Sequence, residues 1–292
     1  MGKTREIKKR IKAVGNIRRI TNTMRMIATS KFARAQQKAT ATKPYTEGVF
    51  ELVRKIAATG GGQITHPLIA GNPGAKDARE LTLIITSDRG LCGPYNGSIL
   101  RTAMAHLKSE PSAREGEIEL VGRKGAAFLK FNNVAVARQH AIGDKPEFGA
   151  IEKIAQDYMD RFAAGKISKV NVVFMRYISA GRQKPEVMQL LPLKPPAAEQ
   201  TAEKAASVEY EFSPPAGQLL GVLLPAAVKA TLYQAVNDAI VSEHIARMVA
   251  MKSATDNAGK MGKRLTRQFN RARQAQITTE LTEIISGAAA LG

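Results

Sequence analysis

The chain has 292 residues, enough for one large domain or two small ones. Its single cysteine, Cys92, excludes an internal disulfide and suits a reducing compartment. Its formal net charge of +19, with 44 Lys or Arg against 25 Asp or Glu, predicts an acidic partner surface, a nucleic acid or an anionic lipid.

The surplus charge is not spread evenly. Residues 1–43 hold 13 Lys or Arg and one acidic residue, Glu6, while residues 244–274 hold eight and only Asp256. Together these two stretches account for the whole surplus, and the rest of the chain balances. The opening MGKTREIKKRIKAVGN lacks the apolar segment of a secretory leader, so no signal peptide is expected. No run is expected to span a membrane, because LLGVLLPAAV at 219–228 falls short of about 18 apolar residues and contains Pro225.

The first element is a helix. Ile7, Ile11, Val14, Ile17, Ile20, Met24 and Ile27 step by three and four, the stripe of a helix packed on another helix. Pro44 is expected to kink or restart it, after which Tyr45, Val49, Leu52 and Ile56 resume the spacing until Gly60–Gly62 end it. A continuous helix over 1–58 would be about 85 Å long, beyond what a compact domain can bury.

The middle, 59–213, alternates strands with helices. LTLIIT (81–86), EIELVG (117–122), VAVARQ (134–139), VNVVFMRYIS (170–179) and EVMQLLPL (186–193) read as strands, and VEYEF (208–212) as an edge strand. SILRTAMAHLKSE, RKGAAFLKF and GAIEKIAQDYMDRFAAG read as the intervening helices, and PPAAEQTAEKAAS (195–207) as a surface loop. Such alternation predicts a parallel sheet with helices on its faces.

From 214 to the end the pattern is helical again, with Pro225 as a start or a kink. Val228, Leu232, Ala235 and Ala239 keep helical spacing. Ala254, Ala258, Met261, Leu265, Gln268, Ala272, Ala275 and Thr279 form a later stripe of small and polar residues, weaker than an Ile and Leu seam. Met24, Met26, Met248, Met251 and Met261 in the two long helices read as core filling, or as an adaptable contact surface. Two long helices that must each bury a stripe should pair antiparallel. The fold class is α/β: a long antiparallel coiled coil of the terminal helices plus a central Rossmann-like α/β domain.

Motifs for chemistry are sparse. TSDRGLCGPYNG (86–97) follows a strand and opens a helix, the setting in which nucleotide folds hold pyrophosphate. It lacks G-x-G-x-x-G, and no Lys follows its glycines, so a tight strand-to-helix turn is the expectation. Asp88 and Arg89 could cap that turn or meet a partner. His66, His106, His140 and His244 show no metal-ligand spacing, Cys92 has no nearby histidine in sequence, and no nucleophile elbow occurs. No active site, metal or cofactor is expected. A basic coiled coil could bind nucleic acid, but Phe32 and Phe269 are the only aromatics of the two basic stretches. An undetected nucleotide-dependent enzyme is a further alternative.

Three blocks carry a resemblance over essentially the whole chain: IKKRIKAVGNIRRITNTMRMIATSKF, TSDRGLCG, and SEHIARMVAMKSATDN through NRARQAQITTELTEIISGAAAL. The chain resembles the gamma subunit of the F-type ATP synthase. Where family members often show Gly-Gly-Leu, this chain has Gly93, Pro94 and Tyr95. The resemblance implies a rotor shaft inside a hexameric ring of alpha and beta subunits, with the α/β domain beside the epsilon subunit and the membrane c ring. It implies no nucleic-acid partner, and a peripheral place on the cytoplasmic face of the bacterial inner membrane. It also implies that Met24, Arg247, Arg273, Gln274, Thr278 and Glu280 belong to the region coupling rotation to catalysis. Arg273 and Gln274 would engage a beta-subunit catch loop, and the apolar tail EIISGAAAL would turn in the upper bearing of the ring.

Overall fold

The computed structural model describes residues 2–59, 66–71, 78–193 and 215–291. The expected loop 195–207, the expected strand 208–212 and the glycines 60–62 lie outside these. The chain divides into two compact units: Lys31–Ala246, and Met1–Ser30 together with Arg247–Gly292. The expected boundaries near 58 and 214 follow the ends of the long helices. The compact units divide within those helices, because residues beyond Ser30 and before Arg247 pack around the sheet.

The two long helices are α1 (Gly2–Thr59) and α7 (Ala216–Leu291). Both continue through their prolines, so of the expected kink or restart at Pro44 and start or kink at Pro225 the helix break is not seen. Each proline lacks an N–H and deletes one helical hydrogen bond. Burial on either side holds the turns, through Ala39, Thr46 and Val49 in α1 and Leu224, Ala227 and Val228 in α7.

Between them lie α2 (Pro67–Ala70), β1 (Arg79–Ile85), α3 (Tyr95–Ser109), α4 (Pro111–Arg114), β2 (Glu117–Val121), α5 (Lys124–Phe131), β3 (Arg138–His140), α6 (Phe148–Ala163), β4 (Ile167–Ser179) and β5 (Arg182–Leu191). The sheet order is β3-β2-β1-β4-β5. The first four strands are parallel, but β5 runs antiparallel to β4. The parallel sheet expected from the alternating elements thus carries one antiparallel edge strand, because only Ala180 and Gly181 separate β4 from β5. A two-residue loop can make a hairpin but not a crossover.

The third strand is shorter than VAVARQ suggested. The Val134 N–H donates to the Leu129 carbonyl at the end of α5, and Asn133 turns with φ +56°. Val134 and Val136 therefore pack as apolar loop residues, and strand pairing starts only at Arg138.

Alternation along the strands builds a core on each face. Leu81, Leu83, Val172 and Phe174 point to one side, where they meet α6, the Val49–Ile56 turns of α1 and the Leu220–Ala239 stretch of α7. Ile84, Val173 and Met175 point to the other, against α3 and α5. By composition, α7 contains an 18-residue window apolar enough to cross a bilayer, contrary to the expectation that none exists. Half of that window is buried inside the fold, as in the core helix of an α/β domain.

One polar cluster ties the short edge strand down. Glu119 on β2 is fully buried, accepts from Tyr158 Oη at 2.7 Å and from Arg161 Nη1 at 3.3 Å, and sits 2.6 Å from His140 Nε2. Burial pushes the Glu119 carboxyl up, but the hydrogen bonds from His140 and Tyr158 outweigh it and hold the group below its ordinary range. A charged acceptor thus joins β2, β3 and α6. Burial, then the neighbouring Glu119, raises the Tyr158 phenol well above its ordinary value, which keeps it a donor.

Asp238 on α7 behaves oppositely. Burial pushes its carboxyl up to about 6, against the Gln234 hydrogen bond at 2.8 Å and the Arg176 charge. A folded value above the unfolded one means that ionisation destabilises the fold. The cost is absent below pH of about 4, grows as pH rises, and is complete above pH of about 6. Asp238→Asn is expected to raise unfolding stability at pH 7.5 by roughly 2 kcal/mol and to change it little at pH 4, as measured by urea denaturation at both values.

Candidate functional site

The second unit pairs the start of α1 with the end of α7. Thr4 Oγ1 donates to Gln276 Oε1 at 3.2 Å, and Thr255 Oγ1 donates to Thr21 Oγ1 at 2.8 Å. Numbers rise on one helix as they fall on the other, so the pair is antiparallel, as the two stripes predict. On α7 most of the inward residues follow a heptad. Met251, Ala258, Leu265 and Ala272 hold one position, and Thr255, Gly262, Phe269 and Gln276 the other. On α1, Ile7, Val14, Thr21 and Ala28 recur every seven residues beside Thr4 and Ile11. Val14, Ala258 and Leu265 form the buried centre. A Cβ on Gly262 would stand 4.0 Å from Val14 Cγ1, so small residues let the backbones approach closely.

This seam departs from the apolar stripes of the sequence. Beyond Val14 the inward positions are Thr21 and Ala28, and the isoleucines leave the interface. Ile17, Ile20 and Ile27 are 52%, 53% and 52% exposed, and Met24 37%. The signal was in the spacing. From Ile11 to Ile20 the apolar residues advance by three, three times in succession. At about 100° per residue each such step falls roughly 60° short of a full turn, so the stripe veers away from the seam. On α7, Met261, Gln268, Ala275 and Thr279 likewise turn outward. Phe269 is half-buried in the seam, and Phe32 packs on Ala39, Val241 and Ile245 in the sheet unit. Neither basic stretch therefore offers a fully exposed ring for base stacking, which weakens the nucleic-acid reading.

The structure brings four of the six expected site residues together. Arg273, Gln274, Thr278 and Glu280 lie within two turns of α7, and all are exposed. Arg273 and Glu280 line a groove of about 300 Å³ with Arg5, Lys8 and Ile277. Gln276 Nε2 donates to Glu280 Oε1 at 2.8 Å, which links the seam to the exposed carboxylate. Thr278, Thr279 and Thr282 each donate the hydroxyl to the carbonyl one turn earlier, at 3.0, 2.9 and 2.8 Å. Arg5, Lys8 and Gln276 were not expected; the antiparallel register brings them to the groove. Met24 and Arg247 are not part of this group. Met24 lies 19 residues along α1 from Arg5, about 28 Å by helical rise. Arg247 is half-buried at the first α7 position of the unit.

The unit carries 17 Lys or Arg against four Asp or Glu. Glu6 is already engaged by Arg10 at 2.5 Å. Exposed hydrocarbon beside dense positive charge is the composition of a surface that meets partners.

The turn at 86–97 belongs to the sheet unit and is closed by its own side chains. Asn96 accepts from the Ser87 N–H at 3.0 Å through Oδ1, and its Nδ2 donates to Ser87 Oγ at 2.8 Å and to Cys92 Sγ at 3.3 Å. Leu91 and Gly93 take φ of +63° and +57°, and Cys92 is buried. Among the described residues, no group of three His, Cys, Asp or Glu side chains could hold a metal ion.

Residues 3–291 match the family described as ATP synthase. The ATP synthase gamma chain of Rhodopirellula baltica is 39% identical, over 100% of this chain and 99% of that one. That of Desulfitobacterium hafniense is 37% identical, over 100% of both. Among solved structures, the rotor of the Euglena gracilis mitochondrial ATP synthase matches with a TM-score of 0.62 at 20% identity, covering 94% of this chain and 99% of that one. The central stalk and c ring of the Tetrahymena thermophila mitochondrial ATP synthase matches with a TM-score of 0.55 at 18% identity, covering 80% and 99%. At these identities the structures speak for the fold alone.

The seam and the outer face should respond differently to substitution. Ala258→Asp places a charge between the helices and is expected to cost about 2 kcal/mol or more, whereas Arg273→Ala on the open face should cost less than about 0.5 kcal/mol. Helical circular dichroism followed on heating reads both.

Proposed function

The chain belongs to the ATP synthase gamma chain family, whose members are central-stalk subunits, and on that premise we propose that it is the rotor shaft of a proton-translocating F-type ATP synthase. The observation that carries this reading is the double character of the coil. One narrow seam is satisfied within the chain, while a second stripe, Ile17, Ile20, Met24 and Ile27, stands uncovered beside it. Uncovered apolar side chains of this number on a pair of basic helices favour a role inside a protein assembly.

In this proposal the coil stands within a ring of alternating alpha and beta subunits. The α/β domain sits beside the epsilon subunit and the c ring, on the cytoplasmic face of the bacterial inner membrane. Proton flow turns the c ring, and the coil turns with it. Because its apolar stripe runs along one side, the three beta subunits meet different surfaces at any instant. A partner shifts a conformational equilibrium only through such differential contact. Each catalytic site is thereby biased in turn, and the nucleotide chemistry stays in beta; this chain performs none.

The residues take distinct parts. Arg273, with Gln274 beside it, engages acidic groups of a beta-subunit loop through charge-assisted hydrogen bonds. Thr278 and Glu280 complete that contact, and Gln276 holds the Glu280 carboxylate in place. Met24 and Arg247 act at the other end of the coil unit. The terminal residues Leu281, Ile284 and Ile285, 57%, 71% and 60% exposed, turn in an apolar bearing.

Met24→Lys puts a charge on the outer stripe, at a side chain 37% exposed. In a reconstituted complex it is expected to lower proton-driven ATP synthesis several-fold, while the co-purifying subunits and their ratio stay unchanged. Wild-type synthesis rates in that complex would overturn the role assigned to this face.

A further inference from the structure

The sheet unit contains a cavity that the shaft role does not use. It has a volume of about 590 Å³ and opens between α1, the 142–146 loop and α7. Lys31, Arg34 and Lys38 reach it from one face of α1, and Lys145 from the loop. The single acidic residue lining it, Asp144, is paired with Lys31. Ala35, Ile142 and Ile240 supply apolar wall.

One buried donor in this cavity is left open. Asn237 lines it and is only 3% exposed, and its Nδ2 is buried without an acceptor. A buried amide donor left unmade costs about 1–3 kcal/mol, so an acceptor that reaches it is favoured. Lys38 donates one N–H to the Pro146 carbonyl at 2.6 Å, and its ammonium stands 5.4 Å from the Tyr233 ring centroid. Arg34 brings five more donors in a planar fork. The one carboxylate in the lining, Asp144, is paired with Lys31 through Oδ2.

We propose that this cavity binds a soluble phosphate-bearing organic anion. Phosphate supplies several acceptor oxygens and more than one negative charge, which matches Arg34, Lys38, Lys145 and the Asn237 amide together. The volume exceeds what a lone phosphate fills, and Ala35, Ile142 and Ile240 offer contact to a carbon skeleton. Gly143, with φ +71° and open space where a side chain would stand, leaves that edge of the lining clear. The site lies wholly in the Lys31–Ala246 unit and does not depend on the role of the coil.

The test must separate a built site from the diffuse attraction of a chain with net charge +19. Inorganic pyrophosphate is titrated calorimetrically into the full-length chain at near-physiological salt. The expected result is saturable binding of one equivalent. Asn237→Leu alters no charge and should weaken it about tenfold, the loss of one hydrogen bond to an anion. Arg34→Gln should weaken it at least as much. Arg271→Gln removes an equal charge from the coil unit and should leave affinity within about twofold. Should Asn237→Leu fail to fold, loss of pyrophosphate protection against thermal unfolding in Arg34→Gln but not in Arg271→Gln supports the site in its place. Equal weakening by both arginine variants, unsaturable binding, or unchanged affinity in Asn237→Leu would overturn the site. Binding to phosphatidic acid vesicles with none to pyrophosphate would overturn it as a site for a soluble ligand.

Discussion

The coil unit depends on a seam that mixes a few large apolar residues with small and polar ones. Val14, Ala258 and Leu265 are its buried centre, with glycine and threonine on either side. Such a seam gains from close backbone approach and dispersion what it lacks in side-chain area. Its register is fixed by the side-chain hydrogen bonds between Thr4 and Gln276 and between Thr255 and Thr21. A richer seam would need the isoleucines that now stand outside. Because the interface is narrow, Ile17, Ile20, Met24 and Ile27 remain available to other chains. Intrinsic stability is thus exchanged for contact surface, which suits a helix pair supported from outside.

The sheet unit is built on different terms. Its central strands β1 and β2 and the middle of β4 are buried on both faces, and their apolar residues divide between two cores. The exceptions are charged groups with defined tasks. Glu119 stays ionised in the interior because Tyr158, His140 and Arg161 converge on it, and so the three-residue strand β3 is held at the edge. Asp238 has weaker support, and its burial destabilises the fold at neutral pH.

Much of this architecture was legible in the sequence, for physical reasons. Near-continuous apolar runs such as LTLIIT and VNVVFM gave the central strands, because a strand buried on both faces has no polar option. The three- and four-residue spacing of α1 and α7 gave the helices and their antiparallel pairing. What the spacing alone could not give was which of two adjoining stripes faces inward. Thr21 and Ala28 look less suitable than Ile20 and Ile27, yet close backbone approach favours the smaller pair. Pro44 and Pro225 act on local hydrogen bonds, whereas burial of neighbouring turns decides whether the helix continues past them. The groove at Arg273 and Glu280 needed residues from both chain ends, and only three-dimensional register supplies Arg5 and Lys8.

The three threonines that bond back to their own helix bear on how this surface would slide. With its hydroxyl proton committed to a carbonyl one turn earlier, each of Thr278, Thr279 and Thr282 has no donor to offer outward. It turns a methyl group and a lone pair toward whatever stands next to it. Such a surface can touch a wall without fastening to it, so little has to be broken when it moves on. Friction at this end of the molecule would then be set by weak dispersion contacts, with few polar bonds to rupture at each step.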